Sequence, residues 1–307
     1  MATSDRILKK YTWLIKTILN AKEITLKELN FLWTEDNTVR MKEEGKMSET
    51  TFFHYKKAIR ELFGINIVCR YGKGRPYFIE NHESLNKPSL TAWLYAGLAS
   101  IDYLTEDENL HKKIIFEDSL GGCHLIPTIL QAIKDNKLLN ITYLPINSYY
   151  PIKVNFKPYY LKQHHRNWYM IGSPENSNQC HVLPLGEIIT ITLTDHTSNP
   201  EDSEKIFSRL NEVIGIDMNE AVKCEKVLIR FRGEQRGYIS AVPLHASQKY
   251  IAATKEYTDY EYTLIPDSDF LSEILRLGTS AEILTPLWLR EEMLHIIDQI
   301  KKTYHSQ

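Results

Sequence analysis

Apolar positions along the first eighty residues keep helical time and then switch to a two-residue beat. Residues 5–20, DRILKKYTWLIKTILN, set Ile7, Leu8, Tyr11, Leu14, Ile15 and Ile18 on one stripe with lysines opposite, which predicts an amphipathic helix. Thr25 followed by Glu28 is a capping box for a second helix, LKELNFLW. After a polar stretch, Ser48 caps ETTFFHYKKAIRELFG, a third helix that Gly64 closes in the left-handed position. Phe52, Tyr55, Ile59 and Leu62 share one face of it and are expected to pack inward. INIVCRY and RPYFIEN then read as two short strands around a Gly72-Lys73-Gly74 hairpin turn. Three helices and a hairpin are the arrangement of a winged helix-turn-helix, placed at residues 1–82.

Residues 83–137 are expected to form a helical linker. It runs from the ESLNKP stretch through SLTAWLYAGLASIDYL and a shorter segment reaching about Phe116 to LIPTILQAIKDN, where Pro127 suits only a first turn. From 138 to 197 the runs LLNITYLP, VNFKPYYLKQ, RNWYMIGSP and CHVLPLGEIITITLTD predict about five strands in a small barrel. Residues 198–307 open with a helical link, EDSEKIFSRLNEVI. Strand, helix, two strands, helix, strand and a long amphipathic helix follow, close to a ferredoxin-like split βαβ layer. The fold class is thus α+β and multidomain.

Composition narrows the setting. Hydrophobic residues at 43% and charged residues at 25% suit a globular protein, and no apolar run nears the roughly 20 residues that cross a bilayer. The opening MATSDRILKKY lacks an apolar stretch with a cleavage site, so no secretory signal and no membrane partner are expected, and a cytoplasmic location is. Cys69, Cys123, Cys180 and Cys224 are scattered without zinc spacing, which predicts reduced thiols and no metal. Net charge is −2, yet residues 1–85 hold 15 Lys/Arg against 11 Asp/Glu, so the head is +4 and the remainder −6. The positive field falls where a phosphate-binding module would need it.

On the third helix Thr50, Thr51, Phe53, His54, Lys57 and Arg60 lie off the apolar face, and Arg70, Lys73 and Arg75 cluster at the hairpin. Polar groups for base edges, flanked by cations for phosphates, point to double-stranded DNA; the alternative is a solvated face. Between 143 and 189, Tyr143, Tyr159, Tyr160, Trp168 and Tyr169 are interleaved with Lys153, Lys157, Lys162, His164, His165 and Arg166. These are the ingredients for stacking bases and steering a backbone, although strand aromatics read first as core. GxSxG, HExxH, GxxxxGK[ST] and GxGxxG are all absent from the sequence, so no enzyme and no cofactor are expected.

Seven dispersed stretches resemble one family. Ile141-Thr142-Tyr143, Pro158-Tyr159-Tyr160-Leu161, Arg166-Asn167-Trp168-Tyr169-Met170 and the run from His181 to Ile188 look like the ordered motifs of the bacterial WYL-domain transcriptional regulators. Thr51-Phe52-Phe53-His54 resembles that family's head, and Pro243 to Gln248 with Ala281 to Pro286 resembles its C-terminal extension. The resemblance implies a homodimeric regulator whose barrel, Sm-like or SH3-like, binds a nucleotide or single-stranded nucleic acid and tunes promoter binding. It puts Tyr143, Tyr159, Lys162, Arg166 and Tyr169 in the ligand pocket, and His165, Trp168, His181 and Glu187 are added as neighbours. Two positions depart from the pattern: His181 stands where an Arg is usual, and Gly186-Glu187-Ile188 where Asp-Arg-Ile is expected. Losing two guanidinium forks and gaining a carboxylate weakens a phosphate site. The alternative function is an accessory protein of a phage-defence system that acts by nucleic-acid or protein binding without classical promoter control.

Overall fold

The computed structural model describes residues 2–36, 45–72, 74–86, 89–106, 108–115, 117–177, 179–197, 203–218 and 221–305. It is a mixed helix-and-sheet chain of two compact units, Met1–Phe116 and Glu117–Gln307.

The first unit contains α1 (Ala2–Ala21), α2 (Leu26–Glu35), α3 (Glu49–Phe63), β1 (Ile67–Cys69), β2 (Tyr77–Ile79), α4 (Glu83–Asn86), α5 (Leu90–Glu106) and α6 (Glu108–His111). Thr25 and Glu28 form the expected capping box at α2, and Ser48 Oγ accepts the Thr51 amide at α3. Gly64 ends α3 at φ 67°, a value that costs a glycine nothing. Leu14, Ile15, Ile18, Leu29, Trp33, Phe52 and Ile59 fill one core. Leu62 departs from its expected inward place: it is half exposed, and Phe63 takes the core seat instead. Phe63 continues the Phe52–Ile59 stripe by one more helical step, whereas Leu62 lies about 100° away around the axis. Leu94, Tyr95 and Leu98 of α5 pack on this same core, so the first part of the sequence-defined linker is a wall of the head.

The second unit opens with a 3-10 turn, Cys123–Leu125, and α7 (Ile126–Lys134), with proline in its first turn. Five strands follow: β3 (Lys137–Tyr143), β4 (Ile152–His164), β5 (Asn167–Pro174), β6 (His181–Pro184) and β7 (Ile188–Thr197). All pair antiparallel, in the order β6-β5-β4-β3-β7. β6 and β7 stand at opposite ends of that order, yet only Leu185–Glu187 joins them. Four Cα steps reach roughly 14 Å. Edge strands of a flat five-stranded sheet lie about 19 Å apart. The sheet must therefore curl. Ile129 and Ala132 of α7 fill its inner face with Leu139, Ile141, Phe156, Met170 and Leu183. On the outer face α8 (Ser203–Glu212) lays Ile206 against Tyr159 and Ile171.

The chain ends in β8 (Glu225–Arg232), α9 (Gln235–Ala241), β9 (Lys249–Ala253), β10 (Tyr257–Leu264), α10 (Ser268–Arg276), β11 (Ala281–Thr285) and α11 (Leu287–His305). The four strands run antiparallel in the order β11-β8-β10-β9. Val227, Ile229, Phe231, Tyr260, Tyr262 and Ile283 form one face and pack on Ile239, Phe270, Ile274, Leu289 and Met293 from the helices. Across the other face Arg230 grips Asp259 with two hydrogen bonds of 2.9 Å.

The segment 120–122 crosses the β6–β7 junction so closely that no side chain fits at Gly122 or Gly186. A Cβ at Gly186 would stand 2.1 Å from the Leu120 carbonyl oxygen, and one at Gly122 would stand 2.5 Å from Leu185. Gly186→Asp is expected to lower stability by about 2–4 kcal/mol, read from the urea midpoint, because backbone must move to admit the side chain.

Candidate nucleic-acid interface and the junction of sheet and helix

The exposed side of α3 and the β1–β2 hairpin frame two grooves in the first unit. One is lined by Lys27, Glu49, Thr50, Phe53, Lys56, Gly74 and Arg75, the other by Phe53, Lys56, Lys57, Arg60, Tyr71 and Arg75. Thr50, His54, Lys57 and Arg60 are exposed, as expected of them. Thr51 is more engaged: its hydroxyl lies 2.8 Å from Ser48 Oγ inside the helix cap. Lys57 stands 3.9 Å from Glu61, a loose exposed pair that water screens. Arg70 is tethered to Glu23 at 2.5 Å and lies over the Phe78 ring. Arg75 is exposed at φ 44°, and Lys73 lies outside the described residues. Lys56 was not singled out from sequence. It is half-buried over the Tyr77 ring, 5.1 Å from its centroid, and burial lowers its pKa. Lys27 joins it, its signal an off-stripe position in a helix next to a cap, and Phe53, already read as off the apolar face, lies beside them.

In the second unit the residues expected in one ligand pocket are dispersed. Trp168 and Tyr143 pack on the inner core, whereas Tyr159 is buried on the outer side, its hydroxyl 2.9 Å from Ser173 Oγ. One strand cannot send neighbours to the same face, so Trp168 and Met170 point in and Tyr169 points out, directly opposite Lys162. His181 pairs with Gly172 on β6. Glu187 faces the β3–β4 loop, its carboxylate 3.4 Å from the Ile146 amide.

The three basic residues meet carboxylates or carbonyls. Lys162 Nζ donates to the Gly215 carbonyl, with Asp267 and Asp269 nearby. Burial lowers its pKa, and those two carboxylates oppose the change. His165 is 3.3 Å from Glu273, which also holds Arg276 at 2.7 Å, and Arg166 pairs with Glu117. His165 and Arg166 both have positive φ, 42° and 68°, the mark of a type I′ turn built here without glycine. Asn167 pins the same turn, accepting from the Leu120 amide at 2.8 Å. His164 stacks on His165 at 4.0 Å, and its Nε2 and Asp267 Oδ2 are buried without a hydrogen-bond partner among the described residues. Asp267 is also the α10 cap: Oδ1 accepts from Phe270, and burial raises the carboxyl pKa. Asp267, Asp269 and Glu273 were legible only as the acidic start of a capped helix.

Residues 124–193 match the family described as the WYL domain, and residues 225–300 that described as the WCX domain. The chain is a WYL-domain protein. Trp168-Tyr169-Met170 sits on β5 of the WYL domain, and β8 through most of α11 form the WCX domain. Among solved structures, the proteasome accessory factor B/C (PafBC) of Arthrobacter aurescens is similar at 13% identity and a TM-score of 0.29, over 96% of this chain and 48% of that one. The chain thus spans about half the length of PafBC. A CRISPR Cas-related protein is similar at 12% identity and a TM-score of 0.38, over 98% of this chain and 83% of that one. At that likeness nothing of either function transfers. Among curated proteins none matches the chain. No helix among the described residues is long and apolar enough to cross a membrane.

Replacing Lys162 with Met is expected to cost about 1–3 kcal/mol in urea unfolding, since it leaves the Gly215 carbonyl and two carboxylates without their cation. Burial, followed by the neighbouring His165, lowers the His164 pKa. An unfolded chain restores it to about 6.5. As pH falls the unfolded state then takes the proton first, so stability held above about pH 6.5 is lost below it. Asp267, with its raised pKa, works in the opposite sense. His164→Asn is expected to flatten the decline in urea midpoint between about pH 7.5 and about pH 5.5.

Proposed function

We propose that this protein is a DNA-binding transcriptional regulator, without enzymatic activity, whose WYL domain senses a ligand and tunes promoter binding. One observation carries the reading: α3 exposes Thr50, His54, Lys57 and Arg60 beside a hairpin bearing Arg75, with a groove on each side. In this reading the first unit is a winged helix-turn-helix. α3 enters the major groove, and the hairpin and helix flank meet phosphates. The curled sheet is read as an Sm-like or SH3-like barrel. The WCX domain is read as ferredoxin-like, which its β11-β8-β10-β9 order supports. A cytoplasmic homodimer on a two-fold operator completes the proposal.

The ion pairs refine what the sensor would take. A nucleotide or single-stranded nucleic acid arriving at the WYL domain must compete with Glu117 for Arg166 and with Glu273 for His165. Such a ligand would therefore exchange one set of anions for another.

The DNA reading is tested by a gel shift on the protein's own upstream region. Lys57→Glu with Arg75→Glu is expected to abolish the shift, and each neutral variant (Lys57→Gln, Arg75→Gln) to reduce the slope of log affinity against log salt by about one. Full binding by the double charge reversal would sink the assignment.

A further inference from the structure

We infer that Phe53 contacts the 5-methyl groups of thymine in the major groove and so sets part of the sequence preference of α3. This rests on the DNA-binding reading above and adds a residue that reads bases to the ones that meet phosphates.

Phe53 is an apolar ring in an unfavourable place. Phe52 and Phe63 of the same helix are almost fully buried, whereas Phe53 is 63% exposed. Core packing gives no reason for it, because Phe52, Ile59 and Phe63 already supply the buried stripe of α3. Phe53 follows Thr50 by three positions and precedes Lys57 by four, so the three share one helix face. It is the fifth residue of α3, in the N-terminal half that approaches base edges in a docked recognition helix.

Its surroundings give the ring a direction. Phe53 is common to both grooves flanking α3: Lys27 and Thr50 line one, Lys57 and Arg60 the other, and Arg75 lines both. An apolar ring therefore stands between two sets of cations. If those cations meet phosphates on the two sides, the ring faces the base edges between them. His54 meets the ring edge-on at 6.2 Å, which restricts its sweep. A phenyl group neither donates nor accepts a conventional hydrogen bond, so the donor and acceptor pattern of the groove is closed to it. The thymine 5-methyl is the apolar group that the major groove offers, and phenylalanine is among the side chains that meet it.

The test uses the full chain. Duplexes selected from a random pool by the wild type are remade with deoxyuridine for thymine, which keeps pairing and removes only the methyl, and binding is read by fluorescence anisotropy. The wild type is expected to lose about fourfold for each contacted thymine, the factor for burying one methyl group. Phe53→Ala is expected to bind both duplexes equally with an unchanged salt slope, and Phe53→Leu to keep a reduced preference for thymine. Equal affinity of the wild type for both duplexes overturns the inference, as does an undiminished thymine preference in Phe53→Ala. Failure of the wild type to bind any duplex overturns the DNA-binding reading itself, a result separable from the other two.

Discussion

The ammonium group of Lys162 organises the second unit. It leaves the far half of β4, donates to the Gly215 carbonyl and lies between the fields of Asp267 and Asp269 at the start of α10. A half-buried cation is tolerable only while such partners remain, and each carboxylate has its own duty. Asp267 caps α10, and Asp269 accepts the Ile216 amide at 2.9 Å. Gly215 has no side chain to separate them: a Cβ there would lie 1.7 Å from Asp269 Oδ2. Sheet, connecting segment and helix are thus tied through one charge. His165 and Glu273 repeat the tie one helical turn further along α10.

This arrangement changes the meaning of the cations in the WYL domain. Read along the sequence, Lys162, His165 and Arg166 look like groups waiting for an anion. Folded, they already have Asp267, Asp269, Glu273 and Glu117 as neighbours. Under the proposed sensing role, a ligand would have to displace the protein's own carboxylates from these groups. The Nε2 of His164 lies buried next to this set, without a hydrogen-bond partner among the described residues.

The parts of the fold legible in the sequence were those governed by neighbours along the chain. Capping at Thr25 and Ser48, the left-handed stop at Gly64 and the alternation in β8 each follow from a few adjacent residues. The site was less legible, because its members come from distant segments. Nothing near Glu117 announces that it will meet Arg166, 49 residues on. Strand parity was available from the start, however. It already forbade Trp168 and Tyr169 from facing the same way, so adding Trp168 as a neighbour to a pocket that held Tyr169 went against it. Leu62 against Phe63 shows the remaining weakness: at a helix end two adjacent apolar residues compete, and the one in phase with Phe52 and Ile59 takes the core seat.

Gly186 bears on how this chain can change. The backbone of Leu120 leaves no space for a Cβ at 186, so any side chain put there, whatever charge it brings, meets a steric wall. Positions 120, 122, 185 and 186 form a coupled set whose effects will not add. A path to a stronger anion site at this corner must move the crossing segment first, so the order of mutations matters as much as their identity.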